Sequence, residues 1–225
     1  MIYMLDTANL DAIKKAVDLY PIAGVTTNPT IIAKENRSLC DIILDIRELI
    51  GSERMLHAQV VGDTAEVMLE EAKALRKLDP EIIIKVPVTP QGIKAMKLIS
   101  AEGIRITATA ILTPQQALMA AMAGAEFLAP YVNRLDNICG DGTLVAAEMA
   151  HLIDVYNLDA KVLAASFKNV QQVHEVAKAG VQSVTIAPDV FDQLLVHPLT
   201  DSGVAGFMSD WHGAYGEGKT VLDLL

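Results

Sequence analysis

Cysteine is scarce in this sequence, which has two, Cys40 and Cys139, in separate halves of the chain. They form no Cys-x-x-Cys motif, so neither a disulfide framework nor a zinc ribbon is predicted. The five histidines lack the spacing typical of metal ligands, so no metal site is expected. Because this cysteine usage favours a reducing compartment, we expect a cytoplasmic protein.

Basic residues are also few, since 18 Lys and Arg against 28 Asp and Glu give a net charge of −10. The absence of a Lys/Arg cluster argues against a nucleic-acid partner. Residues 106–125 carry no charge, but polar residues and Pro114 interrupt them, which is unlike a transmembrane helix. The first residues lack the basic start of a signal peptide. We therefore expect a soluble protein with no membrane partner.

Hydrophobic residues make up 52% of the 225 positions, which excludes a disordered chain and is enough for a sizeable core. No linker, repeat or change of composition divides the sequence. A single domain over residues 1–225 is therefore predicted, with the last helix and the tail included.

Short apolar runs alternate with helical patterns along the chain. This alternation predicts a parallel sheet covered by helices, and eight units favour a closed (β/α)8 barrel, the TIM barrel. An open doubly wound sheet is the alternative, but it normally has a Gly-rich first turn, and the first run here ends in DTAN. The predicted strands are residues 2–6, 22–26, 56–61, 81–86, 104–109, 126–130, 161–166 and 182–187. The predicted helices are residues 9–18, 38–50, 64–78, 90–101, 114–123, 142–156, 170–179 and 198–211.

Polar residues stand at the ends of the first seven predicted strands. In a (β/α)8 barrel these ends form the face that carries the active site, so these residues are candidates for catalysis or binding. They are Asp6, Thr26 to Asn28, Gln59, Lys85, Thr109, Tyr131 to Arg134, and Ser166 to Lys168.

Lys85 is the most informative candidate because it interrupts the apolar run IIIKVPV. Burial disfavours the charged form of a lysine and lowers its pKa, and a neutral amine is a nucleophile toward carbonyl groups. The functional interpretation is a lysine that forms a Schiff base. The structural alternative is a lysine that reaches solvent or pairs with an acid.

Three further candidates have both structural and functional interpretations. Asp6 either caps the next helix and holds its turn, or contacts substrate hydroxyls and moves a proton. Asn28 lies in TTNPT, where Asn-Pro predicts a turn, and its amide can also contact a hydroxyl or carbonyl. The amide of Gln59 needs hydrogen bonds from a neighbour, a water or a substrate.

The later strand ends suggest an acid and a phosphate site. Tyr131 is either a core tyrosine or a proton donor at the barrel mouth. Arg134, Ser166 and Lys168 lie in loops after the sixth and seventh strands, where barrels often bind phosphate. Arginine and lysine suit that anion, although each is also compatible with an ordinary solvated loop.

Several of these motifs together resemble the small transaldolase-like family, and within it the fructose-6-phosphate aldolases. The resemblance covers residues 2 to about 215. It implies a class I aldolase on a (β/α)8 barrel, with no metal and no organic cofactor. The motifs are LDTAN, GVTTNPTII, AQV, IIIKVPVT, APYVNR and LAASFK.

The resemblance also assigns roles to the candidates. Lys85 matches the Schiff-base lysine, and Asp6 matches an acid that contacts donor hydroxyls. Asn28 and Ser166 match residues that bind the dihydroxyacetone unit, and Thr26 is also expected to bind the substrate. The family's phosphate site corresponds to Arg134, Ser166 and Lys168. The residues that hold a catalytic water and transfer protons correspond to Gln59, Thr109 and Tyr131.

Two positions separate the subfamilies, because transaldolases carry Glu at the position of Gln59 and Phe at that of Tyr131. The resemblance therefore implies cleavage of fructose 6-phosphate to dihydroxyacetone and glyceraldehyde 3-phosphate. Two alternatives stay open: a transaldolase, and a non-catalytic barrel that binds sugar phosphates. The resemblance further implies a homo-oligomer, a pentamer or decamer, with the C-terminal helix near residues 198–212 reaching a neighbouring subunit.

Overall fold

The protein is described by a computed structural model that covers residues 1–225. Eight strands pair in parallel and in chain order, and β8 pairs with β1 to close the barrel. The predicted (β/α)8 fold is therefore confirmed. The strands are β1 (Ile2–Asp6), β2 (Gly24–Thr26), β3 (Met55–Gln59), β4 (Ile83–Pro87), β5 (Ile106–Ile111), β6 (Phe127–Pro130), β7 (Lys161–Ala164) and β8 (Ser183–Ile186).

Helices connect the strands and cover them on the outside. All eight predicted helices are present, and most begin at a side chain that accepts a backbone N–H, as Thr64 and Asp141 do. They are α1 (Leu10–Leu19), α2 (Pro29–Lys34), α3 (Leu39–Ile50), α4 (Ala65–Leu78), α5 (Pro90–Ala101), α6 (Pro114–Met122), α7 (Val132–Asp136), α8 (Gly142–Val155), α9 (Val170–Lys178), α10 (Pro188–Gln193) and α11 (Pro198–Tyr215).

Three short helices, α2, α7 and α10, were not predicted. The turn predicted at TTNPT is wrong for Pro29 and Thr30, because α2 begins at Pro29. The Asn28 side chain accepts the backbone N–H of Ile31 at 3.0 Å, and Pro29 occupies the first helical position. Both features are favourable at a helix start, so the same residues that suggest a turn here open a helix.

The barrel interior changes from apolar to polar along the strands. Met4, Ile83, Phe127 and Leu163 form a buried cluster inside the barrel. Toward the carboxyl ends of the strands the buried side chains are polar instead. They include Thr26, His57, Lys85, Thr107, Thr109 and Thr185, all at most 6% exposed. This polar layer forms the floor of the face on which the candidates were predicted to meet.

The chain divides into two compact units, Met1–Phe191 and Asp192–Leu225. The first unit contains the barrel. The second contains α11, whose Trp211 ring lies 4.5 Å from the Tyr215 ring and donates from Nε1 to the Lys219 carbonyl at 2.8 Å. The expected single domain over residues 1–225 and the helix that reaches a neighbour stay predictions. None of the helices has both the length and the apolar character needed to cross a membrane.

Candidate active site

Lys85 lies inside the barrel and is only 6% exposed. Its Nζ atom donates a hydrogen bond of 2.7 Å to the carbonyl oxygen of Thr27, just beyond the end of β2. Burial lowers the pKa of the Lys85 ammonium below its ordinary value, and the nearby charge of Asp6 acts in the opposite direction. The lysine thus neither reaches solvent nor pairs directly with an acid, the two structural alternatives.

Asp6 takes part in a chain of hydrogen bonds across β2, β1 and β8. The Thr26 hydroxyl donates to Asp6 Oδ1 at 2.6 Å and lies 2.7 Å from the Thr185 hydroxyl. Because a hydroxyl has one proton, Thr185 must then donate to Thr26. The next helix is capped by Asn9 instead, so Asp6 is not needed as a cap and stays half-buried at the mouth.

Tyr131, at the end of β6, contacts two other candidates. Its hydroxyl lies 3.2 Å from that of Thr109 on β5. The guanidinium carbon of Arg134 lies 4.3 Å from the centre of the Tyr131 ring. This cation–π contact places the Arg134 guanidinium against the face of the phenol ring.

The strand that carries Thr109 is irregular directly after it. The pairing register between β5 and β6 shifts between Ala108 and Ile111, and Ala110 has a φ of 60°. Such bulges redirect side chains and are common beside active sites. The irregularity lies where the regular β5–β6 pairing ends and the Thr109 hydroxyl meets Tyr131.

The loops after β6 and β7 are held together. The backbone N–H of Asn133 donates to the Ser166 carbonyl at 2.8 Å, and the Gln172 amide donates to Asn133 Oδ1 at 3.2 Å. Gln172 Oε1 also accepts the backbone N–H of Lys168 at 2.8 Å. Ser166 has a φ of 65°, an unfavourable value for a residue other than glycine. The loops of Arg134 and Lys168 thus form one joined edge, and both side chains are exposed.

Asn28 and Gln59 form the opposite side of the mouth. The side-chain oxygen Oδ1 of Asn28 caps α2, which leaves its side-chain NH2 group available as a donor. Gln59 is in register with Lys85 across β3 and β4. Both residues also border a groove of about 630 Å³. It is lined mainly by apolar residues of α2, the start of α3 and the end of α4.

His57 is an unpredicted member of the polar floor. It is fully buried, its Nδ1 lies 2.8 Å from the Thr107 hydroxyl, and its Nε2 has no hydrogen-bond partner. Burial, and then the positive charges of Lys85 and Arg105, hold the pKa of His57 well below its ordinary value. The imidazole is therefore neutral near pH 7.

The structure therefore brings Lys85 and Asp6 into one region and joins Thr109, Tyr131 and Arg134 by contact. Thr27 lies within the predicted range Thr26 to Asn28, and it meets Lys85 through its backbone oxygen. Three further residues, Thr185, His57 and Gln172, were not among the predicted candidates. Thr185 lies at the end of the eighth predicted strand, where the same strand-end argument would have included it. His57 and Gln172 act through partners distant in sequence, which leave no local signal.

Comparisons with known proteins show the family and the fold of the chain. Residues 3–218 match the family model for transaldolase/fructose-6-phosphate aldolase. A probable fructose-6-phosphate aldolase from Streptococcus pneumoniae is 46% identical, over 94% of this chain and 96% of its own. A probable transaldolase from Symbiobacterium thermophilum is 42% identical, over 94% and 97%. The solved structure described as "Native KDPGal structure" shares the fold alone, with a TM-score of 0.58, 17% identity and coverage of 82% of this chain and 81% of its own.

Proposed function

The chain belongs to the transaldolase/fructose-6-phosphate aldolase family, and on that premise we propose that it is a class I aldolase. The reaction is the reversible cleavage of fructose 6-phosphate to dihydroxyacetone and glyceraldehyde 3-phosphate. Lys85 carries the proposal, since a lysine that burial makes less basic, hydrogen-bonded to a carbonyl inside a barrel mouth, is suited to attack a ketone.

The proposed chemistry begins with the neutral amine of Lys85. It attacks the C2 carbonyl of the sugar, and loss of water gives a protonated imine. Asp6, or Tyr131 through a water, removes the proton of the C4 hydroxyl as the C3–C4 bond breaks. The electron pair of that bond moves to the iminium ion and leaves an enamine, while glyceraldehyde 3-phosphate departs. Protonation at C3 and hydrolysis of the imine release dihydroxyacetone and the free amine.

The remaining candidates are proposed to bind the substrate. Asn28 and Ser166, with Thr26 holding Asp6, surround the dihydroxyacetone unit. The phosphate faces Arg134 and Lys168 on the joined edge of the β6 and β7 loops, since guanidinium and ammonium groups suit that anion. Lys168 precedes α9, whose first N–H groups favour an anion as well.

Release of dihydroxyacetone distinguishes the proposed aldolase from a transaldolase. The Tyr131 hydroxyl, 3.2 Å from that of Thr109, can supply a proton to the enamine directly or through a water. Gln59, in register with Lys85, is uncharged, whereas transaldolases carry Glu at this position. A transaldolase would instead keep the enamine and pass it to an acceptor aldehyde. The relatives carry both names, so an assay has to decide between the two activities.

The deciding assay supplies fructose 6-phosphate without an acceptor aldehyde. We expect continuous formation of dihydroxyacetone and glyceraldehyde 3-phosphate in equal amounts. Turnover only when erythrose 4-phosphate is added would favour the transaldolase. Binding of the sugar phosphate without either reaction would favour the non-catalytic barrel.

We also propose a homo-oligomer, a pentamer or decamer. Within the unit Asp192–Leu225, α11 has no buried residue, and its apolar side chains Leu199, Phe207 and Met208 are 75%, 74% and 46% exposed. Apolar surface of this extent is typical of protein interfaces. Native mass spectrometry is expected to give five or ten chains, and Phe207→Asp to give smaller species, whereas a monomeric wild type would contradict the proposal.

A further inference from the structure

His57 crosses the barrel interior beneath Lys85. It lies on β3, while the Thr107 hydroxyl that it contacts at 2.8 Å lies on β5. Strand β4 separates these two strands, so the imidazole must pass in front of the inner face of β4. On β4 the register partner of His57 is Ile83 and that of Thr107 is Lys85. The ring therefore lies between the level of Ile83 and the level of Lys85.

The Nε2 atom of this ring lacks a partner although it is fully buried. Native proteins rarely bury a polar atom without a hydrogen bond, and such an atom near a site calls for a ligand or a water. The Thr107 hydroxyl engages Nδ1, and the charge of Lys85 acts on the ring, so Nε2 is the ring nitrogen left without a partner close to the amine. The unpaired atom thus belongs to the floor below the amine that would hold the substrate.

The electrostatics suit a neutral hydrogen-bond partner at this place. The charged groups that act on His57 are Lys85 and Arg105, the residue just before β5, and both oppose protonation of the ring. A neutral imidazole does not repel a cationic imine on Lys85. Nε2 is a hydrogen-bond donor in one tautomer of the neutral ring and an acceptor in the other. A hydroxyl group can pair with it in either case, since it can both accept and donate.

We propose that Nε2 of His57 binds a hydroxyl of the three-carbon donor held on Lys85, and that the pair of His57 and Thr107 sets a preference for dihydroxyacetone over donors that lack this hydroxyl. This inference rests on the proposed aldolase function and adds a specificity residue to it. Thr107 acts as a positioning residue, since its hydroxyl fixes the ring through Nδ1.

The test compares dihydroxyacetone with hydroxyacetone, which differs by one hydroxyl. Each donor is incubated with the full-length protein, the imine is reduced with borohydride, and the rate of adduct formation is measured by intact mass. His57→Phe keeps an aromatic ring beside Phe127 but removes both nitrogens. We expect it to lower the ratio of the two rates roughly three- to tenfold, the value of about one hydrogen bond, with the hydroxyacetone rate retained.

Two companion variants separate specificity from stability. Thr107→Val keeps His57 but removes its anchor, and we expect a smaller change of the ratio in the same direction. His151→Phe, at an exposed position of α8, is expected to leave the ratio unchanged. An unchanged ratio in folded His57→Phe and Thr107→Val would overturn the inference and leave His57 a structural residue. Absence of any adduct in the wild type with either donor would overturn the proposed function as well.

Discussion

The Nζ atom of Lys85 lies 2.7 Å from the carbonyl oxygen of Thr27, although β3 stands between the strands that carry the two residues. The lysine side chain therefore extends across the inner face of the barrel. The Thr27 hydroxyl donates in turn to the His57 carbonyl on β3 at 2.9 Å, which fixes the acceptor. A carbonyl oxygen orients the amine without supplying the negative charge that would stabilise its protonated form.

The charge state of Lys85 is expected to depend on Asp6. Burial lowers the pKa of Lys85 and Asp6 partly restores it, so Asp6→Asn is expected to lower this pKa further. Competitive labelling of amines with acetic anhydride across a pH series measures the change. The labelling midpoint of Lys85 should move to lower pH in Asp6→Asn, whereas Asp11→Asn, on the exposed side of α1, should leave it in place. A midpoint that rises in Asp6→Asn would contradict the arrangement.

Tyr131→Phe is expected to reduce cleavage of fructose 6-phosphate while retaining imine formation. Loss of the hydroxyl that meets Thr109 removes a proton donor, and general acid–base groups typically contribute about 10²- to 10⁴-fold to a rate. The longer-lived enamine should then favour transfer to erythrose 4-phosphate. The measurement is the ratio of transfer to cleavage, with Tyr156→Phe at the exposed end of α8 as control. An unchanged ratio would show that Tyr131 has no such role.

His57 is expected to make folding sensitive to mild acid. Its pKa is well below the ordinary value of 6.5 in the folded protein, so below about pH 6.5 the unfolded chain binds a proton that the folded barrel does not. The free energy of unfolding should therefore fall as the pH decreases, by at most about 1.4 kcal/mol per pH unit from this group. Urea unfolding between pH 7 and pH 5 measures the slope. His57→Phe should show a shallower slope, and equal slopes would count against the buried neutral histidine.

The ion pair of Arg47 and Asp79 is expected to support the barrel from outside. Asp79 is 5% exposed and accepts from Arg47 at 2.9 and 2.6 Å, so Arg47→Leu leaves a buried charge without its partner. A cost of roughly 3–5 kcal/mol in the free energy of unfolding is expected. Arg37→Leu breaks an exposed pair with Asp45, which solvent screens, and should cost far less. Urea unfolding of the two variants tests the contrast, which equal losses would refute.

The fold could be predicted because its signals are local. Each strand is a short apolar run, and most of the long helices combine buried apolar residues with a capping side chain, so the alternation is visible in the sequence. Helices α2, α7 and α10 span six, five and six residues, too few to show a helical period. The start of α2 depends on the cap made by Asn28, and the same Asn-Pro pair also occurs in turns.

The site could be predicted only in part, for a related reason. Lys85 is visible because a charge inside an apolar strand is unusual, and a resemblance of motifs added roles for the other strand ends. The contact of Thr26 with Thr185 joins residues 159 positions apart, and that of His57 with Thr107 joins residues 50 apart. Closure of the barrel creates the first pair, and the pairing of β3 and β5 with β4 creates the second, so neither has a signature in the sequence around it.

Trapping of the imine with borohydride and dihydroxyacetone, followed by peptide mass spectrometry, tests the central role of Lys85 most directly. We expect one stable three-carbon adduct on Lys85, which should still form in Lys94→Met, since Lys94 is exposed on α5. Lys85→Met should give a folded protein with no adduct and no detectable turnover. An adduct on a different lysine, or none in folded protein that still binds fructose 6-phosphate, would show that Lys85 does not form the Schiff base.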